Sequence, residues 1–299
     1  MKLSVIVPSL TGDVPETLRR QAQGAVDVEL VVVKGVSPVG KARNVGLERA
    51  QGEYVAWVDA DDEVADGWLD GIIGAISEGA DVVTLDAELV GWTGLGNCVW
   101  GRSQEDVSVE RLLQDVYRDV TRQSSLWLYV SRKILWTGLR LDEEVRIAED
   151  YLVLPHLLMR AKSCRYLPRL LYRYHHNAQS LINTQNDLRD AEAIGLWERR
   201  LAEAPPAYRG DCLWGVAMNC YWLCDRVAVG AYPDDHGKAV ANARRCAAFV
   251  RRSFGALLRE AVRASEIPLR ERAEWAIRFA CVITGFWFVQ RWRRRSRRA

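Results

Sequence analysis

Two aspartates two residues apart, Asp59 and Asp61, are the first residues of this 299-residue chain whose types and spacing suggest chemistry. They follow an apolar run at 54–58, which predicts a buried strand. Side chains two positions apart in an extended chain point the same way, so both carboxylates can meet one ligand. They suit Mg²⁺ or Mn²⁺, which would neutralise a departing diphosphate. The alternative is that these acids only decorate the first turn of the next helix.

A second acidic pair, Glu149 and Asp150, begins a predicted helix that follows a loop. A carboxylate held there can take the proton from an acceptor hydroxyl as the hydroxyl attacks a sugar. The alternative is an ordinary pair of acids at a helix N-terminus, where anions are favoured. For an isolated Glu-Asp pair, the second interpretation is the stronger one.

Basic and imidazole groups are predicted near the same edge of the sheet. Lys41, Arg43 and Asn44 open a helix, and the cations there can meet phosphate, although solvated surface charge explains them equally well. His175 ends a predicted strand, where it can contact a pyrophosphate or an acceptor, or keep a structural role. We include His175 with Asp59 and Asp61 among the candidate metal ligands.

The elements that must position these residues alternate along the first part of the chain. Apolar runs predict strands at 2–7, 28–33, 54–58 and 81–85, separated by helical patterns at 15–22, 40–51 and 65–77. This alternation predicts an α/β fold with a mostly parallel sheet wrapped by helices. Such sheets carry their chemistry in the loops at the carboxyl ends of strands, and Asp59 lies at one of those ends.

The later part of the chain predicts a different organisation. A helix at 109–120, a strand at 127–130, a helix at 150–161 and a strand at 165–174 precede a region of long helices. We therefore expect a catalytic domain at 1–185 and a helical extension at 186–299. The aromatic and aliphatic residues expected in the core of the extension are Trp214, Tyr221, Trp222, Phe249, Phe254 and Leu258.

Composition excludes several classes of protein. A 49% hydrophobic and 27% charged chain is ordinary for a globular protein, so disorder is not the default expectation. The first apolar run stops at Pro8, too short for a secretory signal, and we expect no membrane-spanning stretch. The seven cysteines are scattered, and Cys220 with Cys224 are interpreted as core thiols. A reducing, cytoplasmic location is expected.

The basic residues are concentrated at the C-terminal end. Six arginines lie in the last nine residues, and the net charge of +2 falls to −4 once they are set aside. This argues against a nucleic-acid-binding surface on the body of the protein. The aromatic segment at 276–289, next to the arginines, can bind an anionic membrane surface; the alternative is a helix packed on the protein.

Several segments, taken in order, resemble the family 2 glycosyltransferases, which have the GT-A fold. Residues 5–9 (VIVPS) are similar to that family's opening strand, and 41–47 (KARNVGL), 50–54 (AQGEY) and 57–62 (WVDADD) to its central signature. Residues 140–144 with 148–150 resemble its catalytic-base segment, and 171–175 with 180–181 the strand and loop that close the site. The resemblance covers about residues 2–182.

The resemblance implies an inverting transfer of a sugar from a nucleotide-sugar donor to a glycan or lipid-linked acceptor, as in bacterial surface-glycan synthesis. It implies Asp150 as general base, Glu149 as its neighbour, and a metal, Mn²⁺ or Mg²⁺, on Asp61 with Asp59 near the donor ribose or the metal. The enzyme would act in the cytoplasm, either free or attached as a peripheral protein to the inner face of the cell membrane. The implied donor-binding set is Pro8, Ser9, Ser37, Lys41, Arg43, Asn44, Asp59 and Ala60.

One departure from the family pattern concerns the base of the donor. Lys34 and Gly35 stand where the family usually carries acids, so base recognition must differ, for example through backbone groups or Ser37. The departure also favours a non-catalytic binding or assembly module with the same fold. A nucleotidyltransferase is the third class, but its triphosphate loop would want basic residues, and 9–13 (SLTGD) has none.

Overall fold

The computed structural model of the chain comprises two compact units, Met1–Val116 with Thr121–Asn183, and Tyr117–Val120 with Thr184–Ala299. The residues that the structure describes are 2–91, 107–118, 124–145, 148–175, 186–228, 236–263 and 269–284. Residues 92–100, where we expect loops that determine specificity, and the arginine-rich end both lie outside these ranges.

The first unit is built around a seven-stranded sheet in the order β2-β1-β3-β6-β5-β7-β4. Its strands are β1 (Leu3–Ser9), β2 (Val28–Lys34), β3 (Tyr54–Trp57), β4 (Glu63–Val64), β5 (Val82–Val90), β6 (Tyr129–Arg132) and β7 (Cys164–His175). The apolar residues of β1 and β3 are fully buried, as expected for central strands covered on both faces.

The helices of this part of the chain follow the apolar spacing in the sequence. They are α1 (Glu16–Ala22), α2 (Val39–Arg49), α3 (Trp68–Ser77), α4 (Val109–Arg118) and α5 (Glu149–Leu158), with short 3₁₀ turns at Leu126–Leu128 and Lys133–Trp136. In α2, Gly46 allows close packing, because a β-carbon there would collide with the Ile6 side chain in β1. The C-terminal half of α2 is therefore held against the centre of the sheet.

Strand direction is where the fold departs from the expected mostly parallel sheet. The β1–β2, β1–β3 and β5–β7 pairs are parallel, whereas β6 runs antiparallel to both β3 and β5, and β4 runs antiparallel to β7. The sheet is mixed, since apolar runs predict that a strand exists but not its direction. The strand expected at 127–130 begins as a 3₁₀ turn, and the two-residue β4 was not predicted at all.

The second unit is helical, as expected. It contains α6 (Asn186–Glu203), α7 (Arg209–Ala228), α8 (His236–Arg263) and α9 (Leu269–Thr284). Of the predicted core, Trp214 and Phe249 are buried, but Trp222 is 48% exposed and Leu258 is exposed too. The prediction was wrong for these two because hydrophobicity does not say which side of a helix has a neighbour.

Two other expectations about the helical part can be compared with the structure. Cys220 and Cys224 are buried free thiols, so the interpretation as core residues is confirmed. Phe279, part of the aromatic segment considered for membrane binding, is instead buried edge-on against Trp214, with ring centroids 5.4 Å apart. Among the described residues, no helix is both long and apolar enough to cross a membrane.

Candidate active site

Arg43 joins the two acidic pairs that the sequence singled out. One terminal nitrogen donates to Asp59 Oδ1 at 2.8 Å, and the other donates to Glu149 Oε1. The guanidinium lies on α2, Asp59 just beyond β3, and Glu149 on the first turn of α5, so one side chain ties three elements together. Arg43 is only 4% exposed, and such a cation requires partners of opposite charge.

The charges of this cluster alter one another. Burial alone would lower the pKa of the Arg43 guanidinium, but the carboxylates around it raise the pKa above its usual value. Burial raises the pKa of Glu149, and the charge of Arg43 partly offsets that rise. Burial and the neighbouring charge of Glu149 raise the pKa of Asp150 to about 7. A carboxylate with that pKa can accept a proton near neutral pH.

A second interaction fixes the loop that follows β3. The Tyr172 hydroxyl, on β7, donates to Asp62 Oδ2 at 2.6 Å and accepts from the backbone N–H of Asp59 at 3.1 Å. The backbone N–H of His175 donates to the other oxygen of Asp62 at 2.9 Å. The Tyr172 ring is buried and stacks on Trp127 with centroids 4.6 Å apart. Tyr172 and Asp62 thus hold the segment that contains Asp61.

The same geometry tests whether a divalent cation fits. Burial and the charge of Asp59 raise the pKa of Asp62 to about 8, and both its oxygens are already bonded, so Asp62 is a poor anionic ligand. Asp61 is exposed, and His175 Nε2 is buried without a hydrogen bond, 3.5 Å from Glu63 Oε2. Within the described residues, no three ligating groups are already gathered around one point. A cation at this loop would therefore have to take further ligands from outside the chain, such as the oxygens of a diphosphate.

Asn44 acts on the segment that leads to α5. Its amide nitrogen donates to the Leu141 carbonyl at 2.9 Å and its amide oxygen accepts from the Leu141 N–H at 3.0 Å. A β-carbon at Gly40 would collide with the backbone oxygen of Asp142 and touch the Glu149 side chain. The first turn of α2 is therefore pressed against the loop before α5. These bonds favour a positioning role for Asn44, and donor contact by it stays a prediction.

The loops that follow β1 and β2 contact each other at the carboxyl ends of these two parallel strands. Ser9 Oγ accepts from the Gly12 N–H at 2.9 Å, and the Ser9 carbonyl accepts from the Gly35 N–H at 3.0 Å. The Lys34 stem lies over Gly12, whose φ of +92° requires glycine. The exposed Lys34 thus lies at the edge where the family pattern expects an acid.

The predicted site residues fall into two groups. The structure directly joins Arg43 to Asp59 and Glu149, with Asp150 following on the same helical turn. Asp61 and His175 lie in segments held by Asp62. The remaining predicted residues lie along the same strand ends and on α2 but do not join the Arg43 cluster, and their donor contacts stay predictions. They are Pro8, Ser9, Ser37, Lys41, Asn44 and Ala60.

Two residues of the site were not predicted, Asp62 and Tyr172. They are 110 positions apart, so nothing in the local sequence links them. The available signal was that Tyr172 lies three residues before His175 on the same strand, within the segment 171–175 that resembles the strand closing the family's site. Ala148, the residue before Glu149, has a φ of 61°, which is unfavourable for a side chain with a β-carbon. Backbone strain of this kind is often found next to reactive groups.

Comparisons with known proteins agree with this architecture. Residues 11–96 match the sequence family described as Glycosyl transferase family 2. No curated protein matches the chain. Residues 1–349 of S. aureus TarS are similar in structure, with a TM-score of 0.64 and 16% identity over 96% of this chain and 91% of that one. The TarS 1–349 complex with UDP-GlcNAc gives a TM-score of 0.66 at 16% identity and the same coverage.

Proposed function

We propose that this chain, which carries a glycosyl transferase family 2 domain with a GT-A fold, is an inverting glycosyltransferase. It would transfer a sugar from a nucleotide-sugar donor to a hydroxyl of a glycan or lipid-linked acceptor. The observation that carries the proposal is the Arg43 bridge between Asp59 and Glu149. This bridge connects Asp59, an acid of the predicted donor site, to the helical turn that carries the predicted base, Asp150. A displacement needs a donor-binding group and a base close to each other.

Asp150 is proposed as the general base. Its carboxylate accepts the proton of the acceptor hydroxyl while the hydroxyl oxygen bonds to the anomeric carbon from the side opposite the diphosphate. The bond from that carbon to the phosphate oxygen breaks, and its electron pair leaves with the nucleoside diphosphate. Asp150 Oδ1 accepts from the Tyr151 N–H at 2.8 Å, so one oxygen is held while the other is available.

Glu149 and Arg43 are proposed as positioning residues. Since both terminal nitrogens of Arg43 already bond to carboxylates, Arg43 acts on the donor through Asp59. Glu149 has the further effect of raising the pKa of Asp150, which strengthens it as a base near pH 7.

Asp59 and Asp61, with His175 as a third candidate, would hold Mn²⁺ or Mg²⁺ together with the donor diphosphate. When bound, the ion would neutralise charge on the diphosphate as it leaves. The chain's own contribution is that Tyr172 and Asp62 fix the position of the loop at 59–62 by hydrogen bonds. A glycan or lipid-linked acceptor, a hexose donor and a peripheral cytoplasmic location are parts of the same proposal.

The testing experiment is a panel of nucleotide sugars assayed for transfer and hydrolysis with Mn²⁺, Mg²⁺ or a chelator. Wild type is compared with Asp61→Ala and Asp150→Asn, and nucleotide binding is followed by calorimetry. We expect one nucleotide to be released in a metal-dependent way, with release lost in Asp61→Ala. In Asp150→Asn, transfer should fall by roughly 10²–10⁴-fold while donor binding survives.

The second candidate function is a non-catalytic binding module, which Lys34 over Gly12 favours. That arrangement puts a cation where the family pattern expects an acid. Absence of turnover and of metal-dependent binding for every donor in the panel would support this alternative. Donor binding without turnover, unchanged in Asp150→Asn, would support a module that retains the nucleotide site alone.

A further inference from the structure

Helix α8 (His236–Arg263) carries an unusual concentration of positive charge. Its sequence contains seven lysines and arginines against a single acid, Glu260. Lys238, Arg245, Arg252 and Arg259 recur every seven residues, so they follow one side of the helix. A stripe of this length extends about 30 Å along the helix axis.

The buried side of α8 fixes where this stripe points. Ala239, Ala243, Cys246, Val250 and Leu257 are all buried, at spacings that repeat every three, four or seven residues. The basic residues are on the opposite side and all are exposed. The helix is therefore anchored by its apolar face, and its charge is presented to the surroundings.

Within the described residues, four of the seven cations of α8 pair with no acid, whereas Arg263 lies 3.2 Å from Glu260. Arg245 lies 3.9 Å from Glu198, at the limit of an ion pair, and Arg251 donates to the Ile283 carbonyl at 3.0 Å. Within the part of the chain that the structure describes, Arg244, Arg252 and Arg259 form no ion pair or hydrogen bond. A helix that displays unneutralised cations attracts a polyanionic surface.

Aliphatic side chains mark the C-terminal end of the same surface. Val262 is 77% exposed, Leu258 is exposed beside it, and Leu269 at the start of α9 is 73% exposed. Arg259, Arg263 and Arg270 are also exposed in this part of the chain. Exposed aliphatic groups next to arginines suit a lipid interface, where the aliphatics enter the acyl region and the guanidinium groups meet phosphates. A soluble polyanion offers no apolar region in which these aliphatic side chains could be buried.

We propose that the exposed face of α8, together with Leu269, is a docking surface for an anionic lipid bilayer. This surface is made of residues other than those of the arginine run at 291–299. The inference goes beyond the proposed function, and it rests on that function only for its biological use, which is to hold the enzyme where a lipid-linked acceptor is presented. Docking requires neither the donor nor the active site.

The test uses flotation of the full-length chain with vesicles of 30% phosphatidylglycerol in phosphatidylcholine, compared with phosphatidylcholine alone. The triple variant R245Q/R252Q/R259Q is expected to bind the anionic vesicles roughly 100-fold more weakly than wild type. The matched control R20Q/R111Q/R140Q removes the same charge from the first unit, at side chains that are 61%, 42% and 56% exposed, and should bind like wild type. Equal weakening by both triples would overturn the proposal, because net charge alone would then explain binding.

Further variants separate lipid from other partners. V262S/L269S should lose the part of vesicle binding that resists 0.5 M salt, whereas a soluble polyphosphate should bind this variant and wild type alike. Unchanged salt-resistant binding in V262S/L269S would contradict a bilayer as the partner and identify a polyanion.

A chain ending at residue 290 should keep most of its vesicle binding. Complete loss of binding in that chain would assign docking to the tail. Nucleotide calorimetry on R245Q/R252Q/R259Q should be normal, so a failed donor panel and failed docking are distinguishable.

Discussion

The two units use charge in opposite ways. In the sheet unit Arg43 is buried and each terminal nitrogen has a carboxylate partner, next to a base whose pKa is raised to about 7. In the helical unit the arginines of α8 are exposed, and among the residues that the structure describes Arg244, Arg252 and Arg259 have no acid partner. A buried ion pair orients reacting groups, and the loss of one partner greatly lowers the free energy of unfolding. An exposed charge contributes little to that free energy and is available to bind another molecule.

The largest expected effect is on stability, and it sets the two kinds of arginine against each other. Arg43→Ala leaves two carboxylates without their cation and should lower the free energy of unfolding by about 3–5 kcal/mol. Arg252→Ala should change it by less than about 0.5 kcal/mol. Urea denaturation followed by circular dichroism measures both.

Arg140→Ala provides the control within the sheet unit. Arg140 is 56% exposed and pairs with Glu48 at 2.7 Å, so its loss should also cost little. If Arg140→Ala or Arg252→Ala were as damaging as Arg43→Ala, burial would not be the property that distinguishes the two units.

The second prediction concerns the Tyr172 contact with Asp62. Tyr172→Phe removes the hydroxyl that holds the Asp61 segment and should weaken Mn²⁺ binding, measured by electron paramagnetic resonance with a nucleoside diphosphate, by roughly 10–100-fold. Tyr166→Phe is the matched control, since Tyr166 on the same strand donates to buried Asp86 at the same 2.6 Å. Both variants should lose comparable stability, but Mn²⁺ affinity should fall only in Tyr172→Phe. An equal fall in both would indicate a general structural effect.

The third prediction is the pH dependence of transfer. Because a general base must be deprotonated, and burial with Glu149 raises the pKa of Asp150 to about 7, activity should rise as pH increases through about 7. Glu149→Gln removes the neighbouring negative charge, lowers the pKa of Asp150 and should move this rise to lower pH. The profile of kcat against pH in both proteins checks it, and an unshifted rise would argue against Asp150 as the titrating group.

The smallest expected effect concerns Ala148. Its φ of 61° is costly for alanine, so Ala148→Gly should stabilise the protein by roughly 0.5–1 kcal/mol. Ala241→Gly, at an exposed position within α8, should instead destabilise it by about 1 kcal/mol. Thermal denaturation of the two variants should give shifts of opposite sign. A loss of stability in both would mean that the α5 N-terminus is not strained.

The acids of the site illustrate how far local pattern reaches. Asp59 and Glu149 could be selected from sequence because each follows or begins a periodic segment at a predicted sheet edge. Their connection could not, since Arg43 is 16 residues from Asp59 and 106 from Glu149. Arg43 itself was expected to meet phosphate, and only the fold gives it two carboxylate partners.

The sequence by itself determined the alternation of strands and helices, the helical second part and the acidic residues at strand and helix ends, because these follow from local periodicity. Tertiary structure alone decided strand direction, the exposure of Trp222 and Leu258, and the contact between Tyr172 and Asp62. Each of these depends on which distant surface packs against a segment, and one-dimensional spacing does not contain that information.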